Sequence, residues 1–466
     1  MKLLARVHTR LGDFWWYTAL QFTAARCGDF INAFIGLWLV PKYVGMDELG
    51  AVLPLANFAV FLALPVGVFS TAFAKYVNVL VMQGEWGKLK TMLRSVFVAA
   101  GVFLVFAFLA VQFMLPLVLE RVRVAKGTLG VVIVVSALVG AVAPIYLNTL
   151  QVMKRFKEVT VINFFCSPLR LVVMLVTMPF RALTGYFVGQ AAGPFFQIGA
   201  SVYALRKEMG TSVKAEPYWT KLVICAFMKY MFFIALAMFV VSLVSFVEPL
   251  IIRQRLPEVD SAAFYMISRF AEIGSYLGLT LSTILFPYVS EASEAGGSGN
   301  KIIIRSMVGA ITFGVVCAGG FYLFGKDAFS FLPNGATYAQ YVPELVVLTL
   351  VLSVNISVGC FTTGEIAANR FAWLWWFVPV YLLYTVFLFV VTGYGYLQGI
   401  LPDSMIDALA SLNACRLRFV LGTMVVFAVV RLLFAIGHLR LHPRGSMHPM
   451  GPTLNGKIGG LNELRT

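Results

Sequence analysis

Twelve stretches of this chain are each apolar enough, over a window of about 19 residues, to cross about 30 Å of hydrocarbon as a helix. They fall near 14–40, 50–74, 93–117, 127–151, 158–180, 183–205, 222–246, 262–290, 302–325, 342–366, 371–395 and 418–437. Inside a bilayer every backbone N–H and C=O needs a partner in its own segment, and continuous apolar runs of this length meet that need as α-helices. The longest connection is about 20 residues, too short for a soluble catalytic domain on either face. Composition agrees: 60% of the 466 residues are hydrophobic and 12% are charged, with a mean hydropathy of +0.86. A soluble chain of this length would wrap about three cores in charged surface, and no part of this one does. The fold class is an all-α polytopic membrane protein.

The first residues, MKLLARVHTRLGDFWWY, carry no short apolar core followed by a small-residue cleavage site. They read as a retained cytoplasmic start, with the first span acting as the targeting signal. With that end inside, 21 of the 36 Lys and Arg residues fall in cytoplasmic loops, ten in outer loops and five within spans. This asymmetry predicts a multi-pass protein of the cell membrane with both termini cytoplasmic. It also accounts for the net charge of +15 without a nucleic-acid partner. The six cysteines are scattered with no CxxC-type spacing, and His438 and His442, four apart, lack a third ligand. No metal and no cofactor are expected.

The five basic residues within spans are Arg26, Arg170, Lys229, Arg269 and Arg431. Arg26 stands about 18 Å into the first span, near the midplane, with Asp29 one turn further on and Thr23 one turn back. In the eighth span Tyr265, Arg269, Glu272 and Tyr276 repeat the Arg-to-acid spacing, which places one such stripe in each half of the chain. Arg170, in CSPLRLVV of the fifth span, has no acid within one turn of its own helix. Lys229 and Arg431 lie nearer the cytoplasmic ends, where long side chains snorkel. Two readings of the deep set stand side by side. Each arginine and its neighbouring acid could neutralise one another and tie helices together. Alternatively, the arginines line a path for an anionic group, which the planar guanidinium fork suits better than lysine would. Pro54, Pro144, Pro168 and Pro194 mark places where helices can bend, and Pro65 and Gly67 in LALPVGVF are the expected gate. The aromatic clusters Phe14 to Tyr17 and Trp373 to Trp376 read as interfacial belts.

Laying the halves side by side exposes a repeat. Residues 39–76 begin LVPKYVGMDELGAVLPLANF and end FAKY, and residues 251–288 begin IIRQRLPEVDSAAFYMISRF and end FPY, at a constant offset of 212. Each contains the end of a span, a short outer loop with acidic residues, small residues opening the next span and a closing Tyr. Six spans per half makes the repeats parallel. The expected organisation is a six-helix lobe over 1–205, a cytoplasmic linker at 206–221, a second six-helix lobe over 222–437 and a disordered cytoplasmic tail over 438–466.

The same two stretches carry a family resemblance. LVPKYVGMDELGAVLPLANFAVFLALPVGVFSTAFAKY resembles the N-terminal signature of polysaccharide-biosynthesis flippases, and VEPLIIRQRLPEVDSAAFYMISRFAEIGSYLGLTLSTILFPYVSEAS resembles the opening of their second half. Their superfamily also holds the lipid II flippase and the multidrug and toxin extrusion (MATE) antiporters. The resemblance implies a V-shaped bundle of two six-helix lobes around a central cleft that opens alternately to each side. It implies a polyprenyl-linked oligosaccharide as substrate, turned from the cytoplasmic to the outer leaflet without covalent chemistry. Arg26, Asp29 and Arg269 occupy positions like those of cationic cavity residues in the lipid II flippase. That flippase has a further arginine in its second span, where the stretch AVLPLANFAVFLALPVGVF of this chain has no arginine and Asn57 as its sole polar side chain, and two extra C-terminal spans. An O-antigen, capsule or exopolysaccharide repeat unit is therefore favoured over lipid II.

On this reading Arg26, Arg170 and Arg269, with Tyr265 and Tyr276, contact the substrate. Asp29 and Glu272 hold the arginines or bind a coupling cation, H+ or Na+. Partners would be the lipid-linked oligosaccharide, membrane lipids, and a polysaccharide polymerase or glycosyltransferases. The alternatives are a cation-coupled MATE-type antiporter, whose cavity should be net acidic where this one is +1, and a non-transporting subunit of a polysaccharide synthase complex. A polytopic glycosyltransferase or polymerase needs a sizeable outer loop that this chain lacks, so no enzyme activity is expected.

Overall fold

A computed structural model describes residues 23, 26–124, 128–153, 155–209, 214–294, 299–368, 370–392 and 416–441. The aromatic cluster at Phe14 to Tyr17, Cys415 and the tail beyond residue 441 lie outside the described residues.

Twelve long helices run through the described residues and coincide with the twelve apolar segments. Helix α1 covers 26–43, with a π-helical turn at Ile35–Leu39 and a last ordinary turn at Val40–Tyr43. Then follow α2 (Met46–Gln83), α3 (Trp86–Val122), α4 (Leu129–Val152), α5 (Phe156–Thr177) and α6 (Ala182–Met209). The second half holds α7 (Lys221–Arg255), α8 (Glu258–Glu294), α9 (Asn300–Ser330), α10 (Val342–Ala367), α11 (Leu374–Thr392) and α12 (Arg416–Leu441). Seven helical segments among the described residues are long and apolar enough to cross a membrane by length and composition.

Several helices outrun the bilayer. The 38 residues of α2 make a rod of about 57 Å. It starts at Gly45, with Asp47 and Glu48 in the first turn, where the helix dipole favours negative charge. It stops at Gly84, whose left-handed φ of 72° lets Gly84 N–H bond Val81 O and Glu85 N–H bond Leu80 O. That is the paired closure that satisfies the last carbonyls of a helix. Pro54, Pro65, Pro144, Pro168 and Pro194 all sit inside continuous helices, and Thr71 hydroxyl donates to Gly67 O at 3.0 Å, one turn past Pro65.

Two compact units divide the chain. The first gathers Met1–Thr220, Ser245–Arg269 and Phe331–Gly335. The second gathers Lys221–Val244, Phe270–Ser330 and Ala336–Thr466. In the first, α2 packs on α4, α4 on α6 and α6 on α5. A glycine stripe on α6 allows the α5 contact: a Cβ at Gly185 would fall 2.6 Å from the Met178 backbone nitrogen, and one at Gly189 2.1 Å from Met174 Cγ. Close helix approach of this kind is how membrane helices gain packing energy without a hydrophobic drive between them. Residues 214–220 lie against the start of α3: Glu216 N–H bonds Gly87 O at 3.1 Å, and Thr91 hydroxyl bonds Glu216 O at 2.6 Å. Burial, together with neighbouring Tyr76 and Glu85, pushes the Tyr218 phenol up to about 12.

In the second unit α9 packs on α10, α10 on α12 and α12 on α11. At its core Glu365 pairs with Arg370 at 3.0 Å and lies 3.6 Å from His438 Nε2, while Arg370 also donates to Asn300 Oδ1 at 3.2 Å. Trp373 is fully buried against Phe361 and Phe377, and only Trp375 of that aromatic run is widely exposed, at 87%. The run is thus in part core and not simply an interfacial belt. Arg431 does not snorkel. It is 3% exposed, and its guanidinium stacks over Tyr381 at 4.7 Å and Tyr384 at 5.6 Å.

The repeat is visible in the backbone. Met46 and Glu258, which open α2 and α8, stand 212 apart, as do Tyr43 and Arg255, which end α1 and α7. Val44 N–H bonds Val40 O at 2.8 Å, and Leu256 N–H bonds Ile252 O at 3.0 Å. Leu49 N–H bonds Gly45 O at 2.8 Å, and Ser261 N–H bonds Pro257 O at 3.0 Å. The two turns meet inside the first unit. Gly50 lies so close to Ser261 that an added Cβ would stand 2.2 Å from its hydroxyl. Arg253, 2% exposed, donates from Nε to Val122 O at 3.0 Å and from its guanidinium to Asp47 O. Val122 precedes Arg123, which has a left-handed φ of 57° at the end of α3, so the arginine bonds a carbonyl at a helix terminus.

Candidate functional site

The predicted polar residues divide by unit, and most fall in the first. On α1, Arg26 and Asp29 form the expected ion pair at 3.0 Å, with side chains 31% and 26% exposed. The same helix turns Gly28 toward α5, where an added Cβ would lie 3.0 Å from Ser167 Oγ. Arg170 is one turn further along α5. Its guanidinium donates to Gln190 Oε1 on α6, and its aliphatic stem crosses Gly193, where a Cβ would sit 2.6 Å from Arg170 Cδ. One turn back on α5, Asn163 accepts from Gln197 of α6 at 3.2 Å. Asn163, Ser167 and Arg170 therefore make one polar face of α5, at spacings of four and three, opposite Gln190 and Gln197, two turns apart on α6.

Higher on α1 the π turn does similar work. Its wider loop is closed by Val40 N–H on Ile35 O, five residues back. Gly36 O accepts from the buried Tyr265 hydroxyl of α8 at 3.1 Å. Gly36 also leaves room for Arg269, whose Cδ would be 3.0 Å from a Cβ there, and the Arg269 guanidinium lies 5.3 Å from the Tyr265 ring centre. Arg269 is 11 residues into α8, about 16 Å from that helix end. Arg26, Arg170 and Arg269 are thus carried by α1, α5 and the part of α8 up to Arg269 that belongs to the first unit, and two of the three stems are laid across glycines. Arg269 groups with the first unit, and its counterpart 212 residues earlier is Asn57, which donates to Ser245 O at 2.7 Å.

Glu272 and Tyr276, one and two turns beyond Arg269, are half-buried residues of the second unit. Pro65 is exposed and Gly67 half-buried on α2. Ser167, Gln190, Gly193 and Gly36 were not singled out by the sequence. The two-turn spacing of Gln190 and Gln197 was a signal for the first pair of helices, whereas Gly36 gave none. Glu248 of α7 is a further acid of this unit, seven residues from the helix end and so nearer the membrane edge. No group of three or more His, Cys, Asp or Glu side chains that could hold a metal occurs among the described residues.

No protein-family model matches the chain, and no curated protein sequence does. Solved structures match it over nearly its whole length. An inward-facing multidrug resistance MATE family transporter of the MOP superfamily is 14% identical, covering 92% of this chain and 99% of that one, with a TM-score of 0.56. A mutant of the Vibrio cholerae MATE transporter VcmN is 13% identical, covering 95% and 99%, with a TM-score of 0.62. A MOP superfamily transporter from Pyrococcus furiosus is 13% identical, covering 93% and 97%, also at 0.62, and its binding pocket is described as reversed in polarity, suggesting a different function. The chain has the fold of these transporters and is a multi-pass membrane protein.

Proposed function

We propose that this protein is a transporter that flips an anionic lipid-linked oligosaccharide, an O-antigen, capsule or exopolysaccharide repeat unit, from the cytoplasmic to the outer leaflet of the cell membrane by alternating access. The carrying observation is the set of arginines at depth, in which the Arg170 and Arg269 stems rest on glycines and their heads meet Gln190 and the Tyr265 ring. A sugar pyrophosphate cannot enter hydrocarbon bare, and guanidinium groups offer its oxygens paired, charge-assisted donors. Asp29 balances Arg26 while the site is empty and, with Glu272, is the candidate for binding a coupling cation, H+ or Na+. The reading takes 1–205 and 222–437 as the repeated halves, both termini as cytoplasmic, Pro65 and Gly67 as a gate, and a polymerase or glycosyltransferases as neighbours in the pathway.

The fold likeness favours a second reading equally, a cation-coupled antiporter of MATE type. The Pyrococcus furiosus protein supports weighing pocket polarity within this fold. One experiment separates the two. Arg26→Ala and Arg269→Ala are expected to abolish surface polysaccharide and accumulate the lipid-linked precursor on the cytoplasmic side. Wild-type export in both variants overturns the flippase assignment, and arginine-dependent efflux of cationic dyes with normal polysaccharide would select the antiporter.

A further inference from the structure

A cavity of about 480 Å³ opens at the end of the first unit where α4 finishes, α5 begins and α6 finishes, on the side that the basic-residue asymmetry assigns to the cytoplasm. Among the described residues its rim carries Arg155, Lys157 and Lys207, with Glu158 as the acid, a net charge of +2. It sits at the first turn of α5, where the helix dipole adds positive potential. Below the rim the wall is apolar, with Val161 48% exposed and the Tyr203 ring 73% exposed. From Val161 an exposed stripe runs up α5 through Phe165, Leu169 and Val172, at spacings of four, four and three residues. This stripe is one face of a helix.

We infer that this cavity is a binding site for an anionic phospholipid of the cytoplasmic leaflet, a site independent of whatever cargo the protein carries. The phosphodiester would lie among Arg155, Lys157 and Lys207, a headgroup hydroxyl would donate to Glu158, and one acyl chain would follow the Val161–Val172 stripe. The apolar stripe continuous with the basic rim distinguishes a lipid from a free phosphate, which would use the rim alone. A cationic pocket between helices at the cytoplasmic interface is the setting in which membrane proteins hold acidic headgroups, each Lys or Arg near the surface strengthening the attraction.

The test uses the full chain in lipid nanodiscs or detergent, with native mass spectrometry counting retained phosphatidylglycerol against phosphatidylcholine. Lys157→Ala/Lys207→Ala is expected to weaken phosphatidylglycerol retention at least about tenfold, from two surface attractions removed. Phosphatidylcholine retention should stay unchanged. Lys301→Ala/Arg305→Ala, at the start of α9, serves as the control for diffuse surface charge, and equal loss in that variant overturns the site. Val161→Asn, which makes the wall polar without adding charge, should weaken the lipid without altering binding of inorganic phosphate. Displacement of the lipid by inorganic phosphate at modest excess, with Val161→Asn silent, overturns the lipid assignment in favour of a free anion. Melting curves of each variant identify any loss caused by misfolding, and retention unchanged in a folded Lys157→Ala/Lys207→Ala protein refutes the inference.

Discussion

Gly50→Ala is the smallest change that tests how the two repeated turns meet. A Cβ there would stand 2.2 Å from Ser261 Oγ, 2.8 Å from Ser261 Cβ and 3.1 Å from the Ser261 carbonyl carbon. The first two distances are far inside contact, so α2 and α8 must part or strain at a cost of about 1–3 kcal/mol, the usual range for overpacking. Against this, alanine is favoured over glycine within a helix by about 1 kcal/mol. The net effect of Gly50→Ala alone is a loss of up to about 2 kcal/mol. Ser261→Gly removes the two nearest atoms and leaves, of these three, the Ser261 carbonyl carbon at 3.1 Å, a contact that a shift of a few tenths of an ångström relieves. In that background Gly50→Ala should therefore stabilise, giving a coupling of about 1–3 kcal/mol between the sites. Gly319→Ala is the reference for propensity alone, because nothing lies within 4 Å of its Cβ position. Apparent melting temperatures of the five proteins, in one detergent at one scan rate, give the comparison. A Gly50→Ala effect equal in both backgrounds, or as favourable as Gly319→Ala, would refute the close crossing of the two turns.

Two further outcomes follow from the packing described above. Arg370→Met leaves the Glu365 side chain, 2% exposed, charged and short of its main partner; it should cost about 3–5 kcal/mol, and adding Glu365→Gln should recover part of that, read as melting temperature. Tyr218, held protonated by burial with a folded pKa near 12 against a reference of 10.0, contributes stability below about pH 10 that is lost as pH rises towards 12. Wild type should therefore lose melting temperature relative to Tyr218→Phe as pH climbs through that window, and parallel pH profiles would show that the 214–220 segment does not pack against α3 in solution.

The spans were legible because length and apolarity are properties of single segments, and the offset of 212 was legible because two turns had to be built from similar small and acidic residues. That offset returned as matching hydrogen bonds at Val44 and Leu256 and at Leu49 and Ser261. The Arg26–Asp29 pair was legible as well, since both partners share a turn. What the sequence could not disclose is which helix each face meets. Arg170 looked solitary because its partner, Gln190, is on another helix, and the seat of the Arg269 stem on Gly36 of α1 could not be read from α8 alone. Arg431 had the composition of a snorkelling residue, but Tyr381 and Tyr384 of α11 supply it with an aromatic seat within the unit. Trp373 similarly had the composition of a belt residue, and only the neighbouring faces of α10 and α11 make it core.

The π turn at Ile35–Leu39 has a consequence for how α1 can be drawn or altered. One residue more than an ordinary turn is accommodated there, so the stretch bearing Arg26 and Asp29 is rotated by about 100° relative to where a regular helix counted back from Tyr43 would put it. A single helical wheel drawn through the whole of α1 therefore assigns its two ends to the wrong sides of each other. Deleting one residue from the turn would restore a regular helix and keep the ion pair facing its present neighbours, whereas tightening the turn to a regular helix without a deletion would swing the pair a quarter of the way or more around the axis.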